Sequence, residues 1–231
     1  MRTSSIKIVS TGVLFAYLFL KVFFYAVPAK SNTGLSDILD GILSKYGNLP
    51  GLEVSYERQI ITGSMALLGD QITSDKATGK IYFKPKDFLK VLQETPNTEI
   101  VTTDGNNLWW FIPKKSIVYK YPSDRLGKEL RLLSDIFHGL KEVGDNFDVV
   151  QSELSDKDKY QLQLFPNPPW QEIEHINLTV SAEAYNILIV EIYNYLGGIT
   201  RFVLGEPVIN EHLTESFFVF MPPDGVEVVE E

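Results

Sequence analysis

The side chains able to do chemistry are few in this chain and far apart. Three histidines, His138, His175 and His212, occur in 231 residues. None stands in the HxH, HxxxH or HExxH spacing that brings two imidazoles to one metal. Cysteine is absent, which removes disulfides, thiol nucleophiles, iron–sulfur clusters, thiolate zinc sites and a lipid-modified N-terminal cysteine. No GxSxG turn, GxGxxG fingerprint or GxxxxGK[ST] phosphate loop is present. Paired carboxylates doing acid–base work need a desolvated setting. Asp156 with Asp158 and Glu172 with Glu174 sit instead among polar, Lys-rich neighbours and read as solvated turns. Gly197-Gly198 reads as a hairpin turn, and Asn177-Leu178-Thr179 as a chance glycosylation match. The expectation is therefore a protein that is not an enzyme and holds no metal or cofactor.

Charge narrows the partners. With 21 Lys+Arg against 30 Asp+Glu the net charge is −9, and an acidic chain without clustered cations is a poor ligand for nucleic acid. The N-terminus is patterned separately. Arg2 and Lys7 form a basic start, an apolar run interrupted by Lys21 follows, and Val27-Pro28-Ala29 supplies small residues at a cleavage site. Residues 1–29 are thus expected to be a signal peptide cut after Ala29, with residues 30–231 as one mature domain. The apolar stretch is shorter than the ~20 residues of a membrane span. Retention as an anchor is the alternative. Cleavage leaves 18 basic against 30 acidic residues.

The scarcity of reactive groups shifts attention to the elements, which are mostly strands. Leu35, Ile38, Leu39, Ile42, Leu43 and Tyr46 repeat at helical spacing, with Thr33 or Ser36 as N-cap and Gly47 as stop. The period then becomes two: Leu52, Val54 and Tyr56 alternate with Glu53, Ser55 and Glu57. Similar runs are expected at 64–68, 78–84, 88–94, 98–103, 107–112 and 116–121, and again at 147–153, 160–165, 173–180, 186–195, 199–204 and 215–221. Asp104-Gly105 marks a hairpin. Between the two groups, Leu126, Leu130, Leu133, Phe137 and Leu140 predict a second amphipathic helix or helix pair over 123–141. The fold class is mainly β with α: a single curled antiparallel sheet, an incomplete open barrel of about 11–12 strands, with two or more helices over one face. Fourteen Phe, eleven Tyr and three Trp exceed what one sheet buries on both faces. Either side chains fill the concavity, or it is an apolar pocket with the helices as lid.

Three segments carry a resemblance to a known family. They are GKIYFKPKDF at 79–88, DGNNLWWFIP at 104–113 and FFVFMPPDGVEV at 217–228. In this order and separation they resemble the periplasmic outer-membrane lipoprotein carrier family, LolA. The chain departs from the family pattern in having Lys84 where many members carry Arg, in Tyr56-Glu57-Arg58 for Phe-x-Gln, and in Leu89-Lys90-Val91-Leu92 after Phe88.

What the resemblance implies is an open β-barrel with a helical lid over an apolar concavity. It shields lipoprotein acyl chains released from the inner membrane and delivers them to an outer-membrane acceptor. Burying each CH₂ is worth about 0.8 kcal/mol, so such chains cannot cross water uncovered. The expected acyl wall is Val54, Tyr56, Ile81, Phe83, Val91, Val101, Leu130, Leu133 and Phe137, with Lys84 pinning the lid and Phe88 exposed as a partner-docking residue. Trp109 and Trp110 are expected on opposite faces by strand alternation. The implied partners of a monomeric protein are acylated lipoproteins, an inner-membrane ABC-type releasing complex and an outer-membrane receptor. The alternative is a carrier of another lipid class, or a periplasmic lipid-sensing protein on the same half-barrel. An acceptor receptor of this fold would need a lipidated cysteine, and a hydrolase would need a nucleophile–base pair.

Overall fold

The computed structural model describes residues 33–62, 75–122, 128–152 and 156–230. The expected signal peptide and the strand expected at 64–68 lie outside them.

Helix α1 runs Leu35–Tyr46. Its N-cap is Gly34 rather than Thr33 or Ser36, and the Asp37 carboxylate accepts the Gly34 N–H at 3.3 Å. An acidic group in the first turn both fills an orphan donor and complements the helix dipole. Gly47 ends the helix as expected. Among the described residues thirteen strands follow: β1 (Leu52–Ile61), β2 (Asp75–Lys84), β3 (Phe88–Thr95), β4 (Glu99–Asp104), β5 (Asn107–Ile112), β6 (Ile117–Pro122), β7 (Phe147–Ser152), β8 (Lys159–Pro166), β9 (Ile173–Ser181), β10 (Ile187–Asn194), β11 (Ile199–Leu204), β12 (Val208–Ile209) and β13 (Glu227–Glu230). Between β6 and β7 lie α2 (Lys128–Phe137) and the single turn α3 (Val143–Asn146).

The strands form one sheet in the order β13-β6-β5-β4-β3-β2-β1-β11-β10-β9-β8-β7, and β12 adds to β1 beyond β11. The two ends of this order, β13 and β7, do not pair, so the sheet is open and unclosed. All pairs are antiparallel except β13 with β6. The hairpin chemistry is local. Gly105 takes φ +86° while the Asp104 carboxylate accepts the N–H groups of Asn106 and Asn107 at 2.9 Å each.

Alternation divides the sheet into two faces. On the concave face, Leu52, Val54 and Tyr56 stand opposite Phe83, Ile81 and Gly79. The same row continues through Phe202 and Leu204, Val190 and Ile192, and Leu162, Leu164, Ile176 and Leu178. Onto it α1 turns Ile38, Ile42 and Tyr46, and α2 turns Leu132, Leu133, Ile136 and Phe137, all at most 2 % exposed. This is the core, and the described helices fill the concavity with their own side chains. Burial of a large apolar side chain contributes about 1.5–3 kcal/mol.

The stretch expected as a strand at 215–221 is instead a 3-10 turn at Glu215–Phe217 followed by irregular chain. It lies across the convex face. The Phe218 carbonyl accepts Thr102 Oγ1–H at 3.0 Å, and the Phe217 carbonyl accepts a hydrogen bond from Lys90 Nζ at 3.3 Å. The rings of Phe217 and Phe218 lie 5.0 and 5.5 Å from Tyr82 and Phe88, and that of Phe220 lies 5.7 Å from Trp109. A chain crossing strands cannot share their ladder, so an apolar run there packs by its side chains.

Gly79 of β2 lies tight against the backbone of β3 at Leu92 and Gln93. A Cβ at this position would meet the Leu92 carbonyl oxygen at 2.0 Å, and the register slips between Thr78 and Gly79. Gly79→Ala is expected to destabilise the fold by about 1–3 kcal/mol, read as a lowered urea midpoint. An unchanged midpoint would show that the two strands can part without cost.

Candidate functional site

The concave face under the two helices is the candidate site, and the expected residues fall there unevenly. Val54, Tyr56, Ile81 and Phe83 from the sheet and Leu133 and Phe137 from α2 are 5 % exposed or less, in one cluster. Val91 packs against this cluster partly buried. Val101 stands opposite Val91 and Trp110 on the same face, at the side of the sheet away from the core. The side chain of Leu130 lies outside the described residues. Trp109 and Trp110 do face opposite ways. Trp110 is on the concave face, 5.4 Å from Tyr119, and Trp109 is under Phe220 on the convex face.

Phe88 departs from expectation. It is on the convex face, 9 % exposed, in a small cluster with Leu213 and Phe218. The sequence signal is a Phe beside a turn, and the fold covers that turn's flank with the C-terminal segment. Phe88 is thus not exposed for docking while that segment stays in place.

Among the described residues, Lys84, Ser134 and the Tyr46 hydroxyl make polar contacts around the lid. Lys84 Nζ donates to the Pro50 carbonyl at 3.3 Å, an exposed bond onto the connection between α1 and β1 rather than onto α2. Ser134 Oγ on α2 donates to Asp87 Oδ1 at 3.3 Å. Asp87 adopts φ +64° in the β2–β3 turn. The Tyr46 hydroxyl on α1 accepts the Ile187 N–H of β10 at 3.1 Å. Burial pushes the Tyr46 phenol above its ordinary value of 10.0, and the Ile187 N–H opposes this in part. Sequence reasoning does not single out Asp87, Ser134 or the Tyr46 hydroxyl as contacts between lid and sheet. A lone polar group in an amphipathic pattern carries no mark of its partner.

Each helix also has a tight steric contact. Gly41 of α1 lies under the Tyr185 ring, and Gly139, at φ +74° after α2, faces the Gly47 backbone. A side chain at either position would lift a helix.

His138 and His175 pack against aromatic rings. The His138 ring stands edge-on to Phe83 at 4.7 Å, with Nδ1 3.0 Å from the Ser134 carbonyl. His175 stacks on Tyr193 at 4.4 Å. Among the described residues, no cluster of three or more His, Asp or Glu side chains is placed to hold a metal ion. Asp156 is in a solvated ion pair with Lys159 at 2.8 Å, whose hydrogen bond holds its carboxyl below the usual range. A cleft of about 290 Å³ opens beside the end of α2, lined among others by Asp87, Asp135, His138, Lys141 and Glu142. Its charged rim makes it a poor host for an alkyl chain.

Comparison with known proteins agrees with this architecture. The family model described as "Outer membrane lipoprotein carrier protein LolA" matches residues 67–221, more than half of the chain. An outer-membrane lipoprotein carrier protein from Francisella philomiragia subsp. philomiragia is 22 % identical over 201 residues, 87 % of this chain and 92 % of that protein. The crystal structure of an uncharacterized conserved protein from Thermus thermophilus superposes with TM-score 0.53 at 11 % identity, over 85 % of this chain and 98 % of that one. That likeness shows the fold. A LolA superfamily protein from Nitrosomonas europaea covers 80 % of this chain and 97 % of its own, with TM-score 0.45 and 12 % identity.

Tyr46→Phe leaves the buried Ile187 N–H unpaired, which is expected to cost about 1–2 kcal/mol at neutral pH in chemical denaturation. The sign with pH is fixed by the raised phenol. The native state keeps its proton where the unfolded chain loses it, so wild-type stability is full below about pH 10 and falls as pH rises through the folded value. The Tyr46→Phe variant should show a shallower alkaline decline, and equal slopes would rule out a perturbed Tyr46.

Proposed function

The chain belongs to the outer-membrane lipoprotein carrier family, LolA, and from that premise we propose that it is a periplasmic carrier rather than an enzyme. Its cargo is the acyl chains of lipoproteins taken from the inner membrane and handed to an outer-membrane acceptor. The observation that supports this reading is the open sheet whose apolar concave face is covered by the apolar sides of two helices. Alkyl chains are chemically equivalent to the Ile, Leu and Phe side chains they would displace, so exchange costs little apolar burial. A closed resting state hides the cavity from water, and weak pins let cargo open it. The donor is an ABC-type releasing complex and the acceptor an outer-membrane receptor, met by a monomeric carrier. Residues 1–29 act as the signal peptide, cut after Ala29, leaving 30–231 as the carrier domain.

Lid pinning is shared in this reading by Lys84 and Ser134. Lysine offers a point charge without the planar fork of arginine, so its hold on the Pro50 carbonyl is loose. Phe88 contributes to partner docking only after the segment over it moves.

Purified residues 30–231 added to spheroplasts are expected to bring lipoproteins into the supernatant as soluble 1:1 complexes. Co-purification of another lipid with no lipoprotein release would favour the alternative carrier, and neither cargo nor lipid would overturn the carrier reading. In the same assay Lys84→Leu is expected to increase release from the membrane and to slow hand-over several-fold. Unchanged binding and hand-over would remove Lys84 from the lid mechanism.

A further inference from the structure

Leu196, at the tip of the hairpin that joins β10 to β11, is 89 % exposed, and Tyr195 beside it is 56 % exposed. An exposed leucine alone is ordinary. This one stands on a turn built to hold it out. The Asn194 side-chain oxygen accepts the N–H groups of Leu196 and Gly198 at 2.9 and 2.8 Å. The Asn194 N–H donates to the Gly198 carbonyl, and the Gly197 N–H to the Asn194 carbonyl, each at 3.0 Å. Gly197 takes φ +74°, and a Cβ on Gly198 would meet Asn194 Nδ2 at 2.6 Å. The two glycines that mark this hairpin in the sequence are what allow the asparagine to brace it.

The tip is also neutral, on a chain whose net charge is −9. No residue from Ile192 to Thr200 is charged. The first charges behind it are Glu191 and Arg201, which face each other in register with Oε1 and Nε 3.5 Å apart and so offset one another. An acidic body is held off an anionic surface, whereas a neutral tip can meet a zwitterionic one. The N–H groups of Asn194, Leu196, Gly197 and Gly198 are paired within the turn, so an apolar medium would leave none of these four unsatisfied. Tyrosine, an apolar ring with a polar end, suits the headgroup level of a bilayer, and leucine the acyl boundary beneath it.

We propose that the Tyr195–Leu196 tip is a membrane-contact wedge, with Leu196 entering a zwitterionic phospholipid surface and Tyr195 lying among its headgroups. The contact is shallow and reversible, because two side chains bury far less apolar area than a lipid anchor does. A turn already braced by Asn194 does not have to be ordered on binding, which lowers the cost of contact. The inference goes beyond the carrier reading and does not depend on it, since the tip is not part of the concave face.

Because the chain has no cysteine, a single introduced thiol reports on a single place. The protein in its exported form is given Tyr195→Cys carrying an environment-sensitive NBD label. A second sample carries the label at Met221→Cys, a position 81 % exposed on the C-terminal segment. With phosphatidylcholine vesicles the label at 195 is expected to shift to the blue and brighten roughly twofold or more, and the label at 221 to stay unchanged. Leu196→Asp, added to the 195 probe, is expected to abolish the response without moving the urea midpoint. Phosphatidylglycerol vesicles at low salt are expected to give a smaller response. No response at 195 would overturn the membrane contact and leave the tip to a protein surface. Equal responses at both positions, or a response that survives Leu196→Asp, would mean unspecific adhesion and overturn it too, as would a larger response on phosphatidylglycerol. None of these outcomes bears on acyl cargo, so the carrier reading is judged by lipoprotein release alone.

Discussion

The constraint on which the rest depends is that an open sheet has an apolar concave face that it cannot cover by itself. A closed barrel buries its interior with its own wall, whereas here β13 and β7 end the sheet unpaired. The Leu, Ile, Val and Phe row from β1 through β10 must therefore be covered by something else. Helices α1 and α2 supply that cover, and their Ile38, Ile42, Leu132, Leu133 and Phe137 become core residues by doing so. The same residues are thus the packing of the protein and the surface a lipid would replace. In the proposed carrier, stability and binding would compete for one area.

How firmly the cover is held follows from its polar contacts. The Tyr46 hydroxyl meets a backbone N–H in a buried setting and ties α1 to β10. The Ser134–Asp87 and Lys84–Pro50 bonds are long, at 3.3 Å each, and lie in partly or fully exposed positions. Bonds of that kind contribute little net stability where water can replace them. Gly139 against Gly47 brings the ends of the two helices into backbone contact, so displacement of one disturbs the other. The convex face is managed differently. The segment through Phe217, Phe218 and Phe220 covers Tyr82, Phe88 and Trp109 with aromatic rings, and Lys80 there is paired with Glu53 across the ladder.

The strands and the first helix were legible because their signals are local. Alternation in Leu52–Glu57, the 3.6-residue period in Leu35–Tyr46 and the Asp104-Gly105 turn each follow from backbone geometry and one apolar face. The open half-barrel and the lid were legible through the three motifs as well. The 215–221 segment was misread because an apolar run looks the same whether it pairs in a ladder or packs across one. The cap at Gly34 was misread for a similar reason. Thr33 and Ser36 are better capping residues by type, but the chain enters α1 one residue later than Thr33, and Asp37 supplies the acceptor.

By itself, the sequence determined the class of protein. It has no cysteine, an acidic balance, a β pattern broken by amphipathic helices and three ordered motifs, all properties of composition and short-range spacing. Only the tertiary structure decided which apolar residues share the concavity, that helix side chains occupy it, and that Phe88 is covered. It alone brought Ser134 to Asp87 across 47 residues and Arg58 to Gln93 across 35. Those outcomes depend on contacts between residues distant in the chain. Local periodicity tells each residue which face it is on, but carries no information about what will cover that face.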